Sequence, residues 1–267
     1  MAPTPYAVAL TQPSTQVPAI RRVAFDAPWV WLAAGWRDLW STPVISLTYG
    51  AVFAIAAGVF AFQLSSLNAL PLILPLAGGF LIVAPLLAVG LYEISRRREN
   101  SQQASFHDMV SAVRNSGGQL AFFGVLLLLL YFFWMQVASL LFMLFFGNAD
   151  IPPVENFVPT LLFTPHGLGL LVVGTAVGAV FALAAFGVSA ISVPMLLDQK
   201  LDVITAVTAS VRAVNLNRPA MILWAVLIAG LIVASFAALF VGLAIAFPLI
   251  GYATWHAYRE LTGTMPD

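Results

Sequence analysis

The stretch FPLIGYATWHAYREL, residues 247–261, joins an apolar helix that contains a proline to a belt of aromatic residues and a charged end. Aromatic rings followed by charged side chains are typical of the end of a membrane-spanning helix, where they lie at the depth of the lipid headgroups. Related stretches surround Pro85 and Pro194. The pattern indicates an all-α membrane protein.

The composition agrees with this interpretation. Hydrophobic residues make up 61% of the chain and charged residues only 8%, whereas about 25% of residues are charged in soluble domains. The formal net charge is zero, so the field of the whole molecule gives no reason to expect a nucleic-acid partner. The absence of cysteine excludes disulfides, thiolate metal sites and a cysteine nucleophile.

The hydrophobic blocks predict six transmembrane helices. The last block begins at Pro219 and is about forty residues long, and a single helix of ~60 Å would be twice the thickness of the hydrocarbon core. We therefore expect two spans joined by a tight turn near Ala238 to Gly242. The other four predicted spans are residues 43–62, 71–92, 120–146 and 166–193.

Three short amphipathic helices are predicted to lie in the membrane–water interface. One precedes each of the first, third and fifth spans. The first begins at Asp26-Ala27-Pro28, a helix-start signal. The second follows a capping box from Ser105 to Asp108, and Asp202 caps the third. Their predicted apolar faces are Trp29, Leu32, Trp36 and Leu39/Trp40; then Phe106, Met109, Val110 and Val113; then Ile204, Val207, Val211 and Val214.

In the first of these helices, the spacing places Arg37 and Asp38 off the apolar face. We expect Trp29, Trp36 and Trp40 to act as interfacial anchors that contact acyl chains, because indole rings favour the headgroup region.

The basic residues predict which side of the membrane each loop faces. All eleven lie within residues 21–37, 96–114 and 200–218 or at Arg259, on one side of a six-span chain. Since Lys and Arg concentrate in cytoplasmic loops, both termini are predicted to be cytoplasmic. The run Arg96-Arg97-Arg98 is interpreted as an interfacial anchor and a determinant of topology.

The domain organisation follows from the same pattern. Residues 1–20 are predicted to be a disordered tail, 21–261 a single six-span domain, and 262–267 a second tail. The order of amphipathic helix, span and span with a late proline suggests a threefold internal repeat with units of about 26–95, 105–198 and 202–261. The alternative is that interfacial helices and prolines recur by chance in a protein with many spans.

Several segments resemble the DUF2189 family of bacterial integral membrane proteins. They include GWRDLW at 35–40, PMLLD at 194–198, FVGL at 240–243 and ATWHAYR at 253–259. The resemblance implies a bacterial inner-membrane protein and extends from Arg21 onward. The family has no established activity, although some members are labelled as subunits of cytochrome c oxidase.

The histidines do not match an oxidase core, which needs several of them inside its spans. His107, His166 and His256 are scattered, and no two are placed to bracket a haem. We therefore expect no cofactor and a non-enzymatic interaction, scaffold or accessory protein. Its partners would be the lipid bilayer and another membrane protein, a respiratory complex being one candidate. The alternative is a small-solute channel or a lipid carrier with a cavity between repeats.

One polar cluster is predicted. Glu93 and His256 each follow a proline by eight residues and Asp198 follows one by four, which places all three side chains within roughly 80° of the proline face. A pseudo-threefold bundle would bring them together at its cytoplasmic mouth, where a small cation or a partner's basic residue could bind. The alternative is that each residue simply caps the end of its helix.

Overall fold

The computed structural model describes residues 17–67, 69, 72–115, 117–147 and 154–263. These residues form an all-helical fold. The helices are α1 (Ala27–Ser41), α2 (Pro43–Ser66), α3 (Ile73–Leu87), α4 (Val89–Glu99), α5 (Phe106–Asn115), α6 (Gly117–Phe146), α7 (Val154–Phe163), α8 (Pro165–Ser189), α9 (Ser192–Asp198), α10 (Val203–Leu216), α11 (Arg218–Ala237) and α12 (Leu243–Thr262).

Five segments are long and apolar enough to cross a membrane. They are Pro43–Ser66, Pro75–Glu99, Gly117–Phe146, Pro165–Asp198 and Arg218–Ala237. The helix α12, predicted as the sixth span, is not among them, although it has 20 residues. Its second half contains aromatic and charged residues, which lower its hydropathy. The predicted turn between the last two helices is confirmed, since α11 ends at Ala237 and α12 begins at Leu243.

The second span differs from its prediction of residues 71–92. It is broken at Ala88, three residues after Pro85, and its helical backbone continues to Glu99. The arginine run therefore lies on a helix rather than in a loop. The break leaves the carbonyl of Leu87 without a helical partner, and the hydroxyl of Tyr49 on α2 donates a hydrogen bond to it. Neighbouring helices commonly satisfy a freed carbonyl in this way within a membrane.

The three prolines of the suggested repeat have different local structures. Pro85 precedes a helix break, whereas α12 continues through Pro248 without interruption. The break between α8 and α9 comes before Pro194, and Ser210 on α10 stabilises it by donating to the Gly187 carbonyl at 2.9 Å and accepting from the Ile191 N–H at 3.3 Å. At the level of the prolines, the repeat is therefore not regular.

The connection after the third span contains the helix α7, which packs against α8. The two meet closely at Gly167, where a Cβ atom would lie 2.1 Å from the carbonyl oxygen of Thr160. Phe157 on α7 is buried, whereas Phe163 is largely exposed. Asp150 and Pro153, which belong to the same connection, lie outside the described residues.

The helix α12 is the centre of the bundle. It packs against α1, α2, α4, α9 and α11, and its rings Tyr252, Trp255 and Tyr258 are fully buried. Two glycines allow the closest approaches. A Cβ atom on Gly35 of α1 would lie 2.7 Å from the Ala253 nitrogen, and one on Gly50 of α2 would lie 2.2 Å from the Ala244 oxygen.

The helix α1 packs against the protein through the face that carries Trp31, Asp38 and Leu39. Trp31 and Leu39 are completely buried and Asp38 is 6% exposed, so Leu39, which the spacing placed on the apolar face with the outward tryptophans, is turned inward. The predicted anchors Trp29, Trp36 and Trp40 point outward and are about half exposed. The helix begins at Ala27 as predicted, but the side chain of Asp26 makes no capping hydrogen bond.

The other two short helices also turn bulky apolar residues outward. On α5, Met109 is buried while Val110 is 66% exposed. On α10, Ile204 is 76% exposed, and the inward face consists of the small residues Ala206, Ala209 and Ala213. The predicted caps are confirmed for both. Ser105 and Asp108 exchange capping hydrogen bonds, and the Asp202 carboxylate accepts from the Thr205 N–H at 2.9 Å.

Candidate functional site

The ends of three helices meet on one side of the bundle. We name α4, α9 and α12 the central trio, because each contacts the other two. They carry the three residues of the predicted polar cluster, Glu93, Asp198 and His256. In the described part of the chain, no hydrogen bond or ion pair joins these three to one another, and each has partners of its own. A shared ligand site for them stays a prediction.

Asp38 on α1 is a residue of this region that sequence reasoning missed. Its carboxylate accepts hydrogen bonds from Ser95 and Arg98 on α4 and lies 2.9 Å from Nε2 of His256 on α12. The sequence does contain a signal for it: Trp31, Gly35 and Asp38 lie four and three residues apart, on one helical face.

The geometry at Asp38 differs from that of a nucleophile and its base. In a catalytic triad the serine donates to the histidine, which is in turn oriented by the acid. Here the Ser95 hydroxyl donates to the Asp38 carboxylate instead of to a histidine, and His256 pairs with the same carboxylate. Asp38 therefore acts as a hub that holds α1, α4 and α12 together.

Glu93 forms a second cluster with the predicted anchor arginines. Its buried carboxylate accepts from Arg96 at 2.8 and 3.0 Å and from Arg97 at 2.8 Å. Arg97 also lies 3.1 Å from Asp108, which ties α5 to α4. Since Arg98 pairs with Asp38, each arginine of the run makes an ion pair within the protein.

Arg259 joins all three helices of the central trio. Its guanidinium lies 3.0 Å from Glu99 on α4 and 3.5 Å from Asp198 on α9. Asp198 also accepts a hydrogen bond of 2.7 Å from the hydroxyl of Tyr258, which in turn accepts one from Gln199. We use the name ionic network for these groups together: Asp38, Glu93, Arg96, Arg97, Arg98, Glu99, Asp108, Asp198, His256 and Arg259.

The segment before α1 is fixed to the same side of the bundle. The side chain of Asn217 accepts from the Val23 N–H at 2.9 Å and donates to the Arg21 carbonyl at 3.0 Å, as a neighbouring strand would do. The Arg21 N–H donates to the Leu261 carbonyl at 2.8 Å. The beginning of the described chain is thereby held against the end of α12.

Two carboxylates outside the candidate spans have lowered pKa values. Hydrogen bonds from Ser105, with a smaller contribution from Arg97, lower the pKa of Asp108. Hydrogen bonds from the side chain and backbone of Thr205 lower the pKa of Asp202. Both stay ionised at neutral pH, where a negative charge stabilises the first turn of a helix.

The three histidines lie in different parts of the sequence and have different surroundings. His107 accepts or donates a weak hydrogen bond with Ser111 on α5, whereas His256 pairs with Asp38. His166 lies in the first turn of α8. Within the described ranges, no three His, Asp or Glu side chains are grouped in a way that could hold a metal ion.

Two apolar cavities lie among the spans, away from the ionic network. The first, of about 350 Å³, is a half-open cavity lined by α2, α3, α6 and the α11–α12 turn, with Phe53, Phe80 and Phe240 in its wall. The second, of about 670 Å³, lies between α6, α7 and α8 and includes Trp134 and Thr175. Volumes in this range are typical of small-molecule sites.

An all-helical chain with five apolar spans and charged groups gathered at the helix ends is an integral membrane protein. Residues 72–198 match the model of the DUF2189 family, described as a predicted integral membrane protein. The resemblance is confirmed over this range, from α3 to α9. No curated protein and no solved structure is significantly similar to the chain.

Proposed function

We propose that the protein crosses the bacterial inner membrane six times, with both termini in the cytoplasm. The sixth span would be α12, whose 20 residues extend about 30 Å, the thickness of the hydrocarbon core. A span surrounded by other helices can carry polar residues, because it faces protein rather than lipid. The burial of α12 by α1, α2 and α4 supports this.

We infer further that the three units form a pseudo-threefold arrangement. Each short helix packs against the end of the preceding unit, since α5 contacts α4, α10 contacts α8 and α9, and α1 contacts α12. The outward bulky residues of these helices support an interfacial position, because apolar side chains on an exposed helix face are stable in lipid.

The function we propose is that of a non-enzymatic scaffold or accessory protein. The observation that carries it is the ionic network. Its acidic groups already form hydrogen bonds or ion pairs with Arg, His, Ser or Tyr side chains. These groups therefore hold helices together, which favours a structural role over substrate binding. Such a network gives the cytoplasmic side a rigid surface on which another membrane protein, for example a respiratory complex, can assemble.

Affinity purification in mild detergent, followed by mass spectrometry, tests this function. We expect a stoichiometric protein partner that is retained by an Asp26→Asn variant and lost from Asp38→Asn, because only the second change disrupts the network. Asp26 is a matched control, since it is an exposed acid directly before the same helix. Purification of the parent protein without any stoichiometric partner would contradict a scaffold role.

The two apolar cavities favour a second candidate, a lipid carrier. The variant Ala57→Phe would fill part of the 350 Å³ cavity, whose wall includes Ala57. Val59→Phe is the control, because Val59 lies on the same helix and is 55% exposed. A carrier is expected to purify with bound lipid, and Ala57→Phe should lower the amount while Val59→Phe should not. Equal lipid content in both variants would count against this candidate.

A further inference from the structure

Each of the three short helices presents an exposed apolar residue followed directly by an exposed arginine. The pairs are Trp36–Arg37 on α1, Val113–Arg114 on α5 and Val211–Arg212 on α10. Trp36 is 45% exposed, Val113 57% and Val211 38%. The name apolar–arginine pairs is used below for these three.

The three arginines differ from those of the ionic network in their surroundings. Among the described residues, no carboxylate lies within ion-pair distance of Arg37, Arg114 or Arg212. Five acidic groups on that side of the bundle are instead paired with Arg96, Arg97, Arg98, Arg259 or His256, namely Asp38, Glu93, Glu99, Asp108 and Asp198. Among the described residues, the guanidinium groups of Arg37, Arg114 and Arg212 are therefore not neutralised by an ion pair.

The packing of the short helices separates the three pairs. Helix α1 lies on α12, α5 on α4 and α10 on α9, and these three supporting helices form the central trio. The apolar–arginine pairs are therefore distributed around the perimeter of the bundle instead of forming one patch. A single soluble ligand could not contact all of them, whereas a surrounding lipid leaflet could.

We propose that each apolar–arginine pair binds one anionic phospholipid. The guanidinium would bind the phosphate through its planar fork of donors, and the adjacent tryptophan or valine would contact the upper part of an acyl chain. Basic residues at the edge of an apolar helix face are the usual means by which interfacial helices select anionic lipids. The inference rests on the proposed topology, because it needs the short helices at headgroup depth.

Native mass spectrometry of the full-length protein in mild detergent tests the proposal. The protein is mixed with equal amounts of phosphatidylglycerol and phosphatidylcholine that carry the same acyl chains. We expect up to three retained phosphatidylglycerol molecules, with a preference of about fivefold per site over phosphatidylcholine. The triple variant Arg37→Gln, Arg114→Gln, Arg212→Gln should lose this preference.

The control is a second triple variant that removes the same charge, with Arg22, Lys200 and Arg218 changed to Gln. These three residues are exposed and lie outside the pairs, so the preference should persist. Single variants at Arg37, Arg114 and Arg212 should each lose one bound lipid, which keeps the test valid if the triple variant does not fold. Equal retention of both lipids by the parent, or equal loss in both triple variants, would overturn the proposal. Fusion reporters test the topology separately.

Discussion

At the residue scale, a single buried carboxylate connects three of the helices. Asp38 contacts α4 through Ser95 and Arg98 and α12 through His256. Burial of a charge is costly unless it is paired and hydrogen-bonded. The position of α1 therefore depends on this carboxylate as well as on the buried side chains of Trp31 and Leu39.

We predict that Asp38→Asn destabilises the fold. Removal of one partner from a buried ion pair costs about 3–5 kcal/mol. Since the side chain of Arg98 is 33% exposed and water screens it in part, we expect about 2–3 kcal/mol. Thermal unfolding in detergent should show a midpoint lower by roughly 5 °C or more. Asp26→Asn is the control, because Asp26 lies outside the hub. If the unfolding midpoints of Asp26→Asn and Asp38→Asn were equal, the hub would not be what holds α1.

The lowered pKa of Asp108 predicts that α5 is sensitive to acid. Hydrogen bonds from Ser105 hold the folded-state pKa of Asp108 below its ordinary value of about 3.9, so the carboxylate stabilises the folded state above that pH. This contribution is lost as the pH falls through the folded-state value. Amide-exchange protection of residues 106–110 should therefore fall progressively as the pH drops below about 5. In Asp108→Asn it should be low and constant, while α10 keeps the behaviour of the parent.

Close helix crossings decide the packing at the element scale. Gly50 and Gly58 lie on the same helix, α2, but a Cβ atom would collide with the α12 backbone at Gly50 and would meet nothing within 4 Å at Gly58. Small residues of this kind permit helices to approach in membranes, where dispersion contacts replace the hydrophobic effect.

We predict opposite effects of alanine at these two positions. Gly50→Ala must push α2 away from α12, and overpacking of this kind costs about 1–3 kcal/mol. Gly58→Ala should be neutral or stabilising by up to about 1 kcal/mol, because alanine favours a helix more than glycine does. Unfolding midpoints of the two variants provide the comparison. Similar midpoints would mean that α2 does not pack closely on α12 at Gly50.

The whole molecule has a predicted orientation that fusion reporters can test. Alkaline phosphatase is active only outside the cytoplasm, so a fusion at Gln102 should be inactive and one at Pro153 active. A fusion in the turn at Val241 should also be active, because α12 would return the chain to the cytoplasm. An inactive fusion at Val241, with an active one at Pro153, would mean that α11 does not cross and would overturn the six-span topology.

The sequence by itself determined the class of protein, five of its spans, the helix caps at Ser105 and Asp202 and the turn before α12. These features depend on local composition and on backbone groups that must be satisfied within a few residues. It also placed Glu93, Asp198 and His256 on three helices that the structure brings into contact.

Only the tertiary structure decided which residues make up the inward face of each short helix and what they contact. In a soluble protein the apolar face is the buried one, but lipid is as apolar as a protein core, so hydropathy does not distinguish the two sides. Trp36 and Ile204 therefore face outward, while Asp38 and Ala209 are buried. In the run 96–98, Arg96 and Arg97 pair with Glu93 on the same helix. Arg98 instead pairs with Asp38 on α1, sixty residues earlier, and spacing along the chain carries no record of that contact.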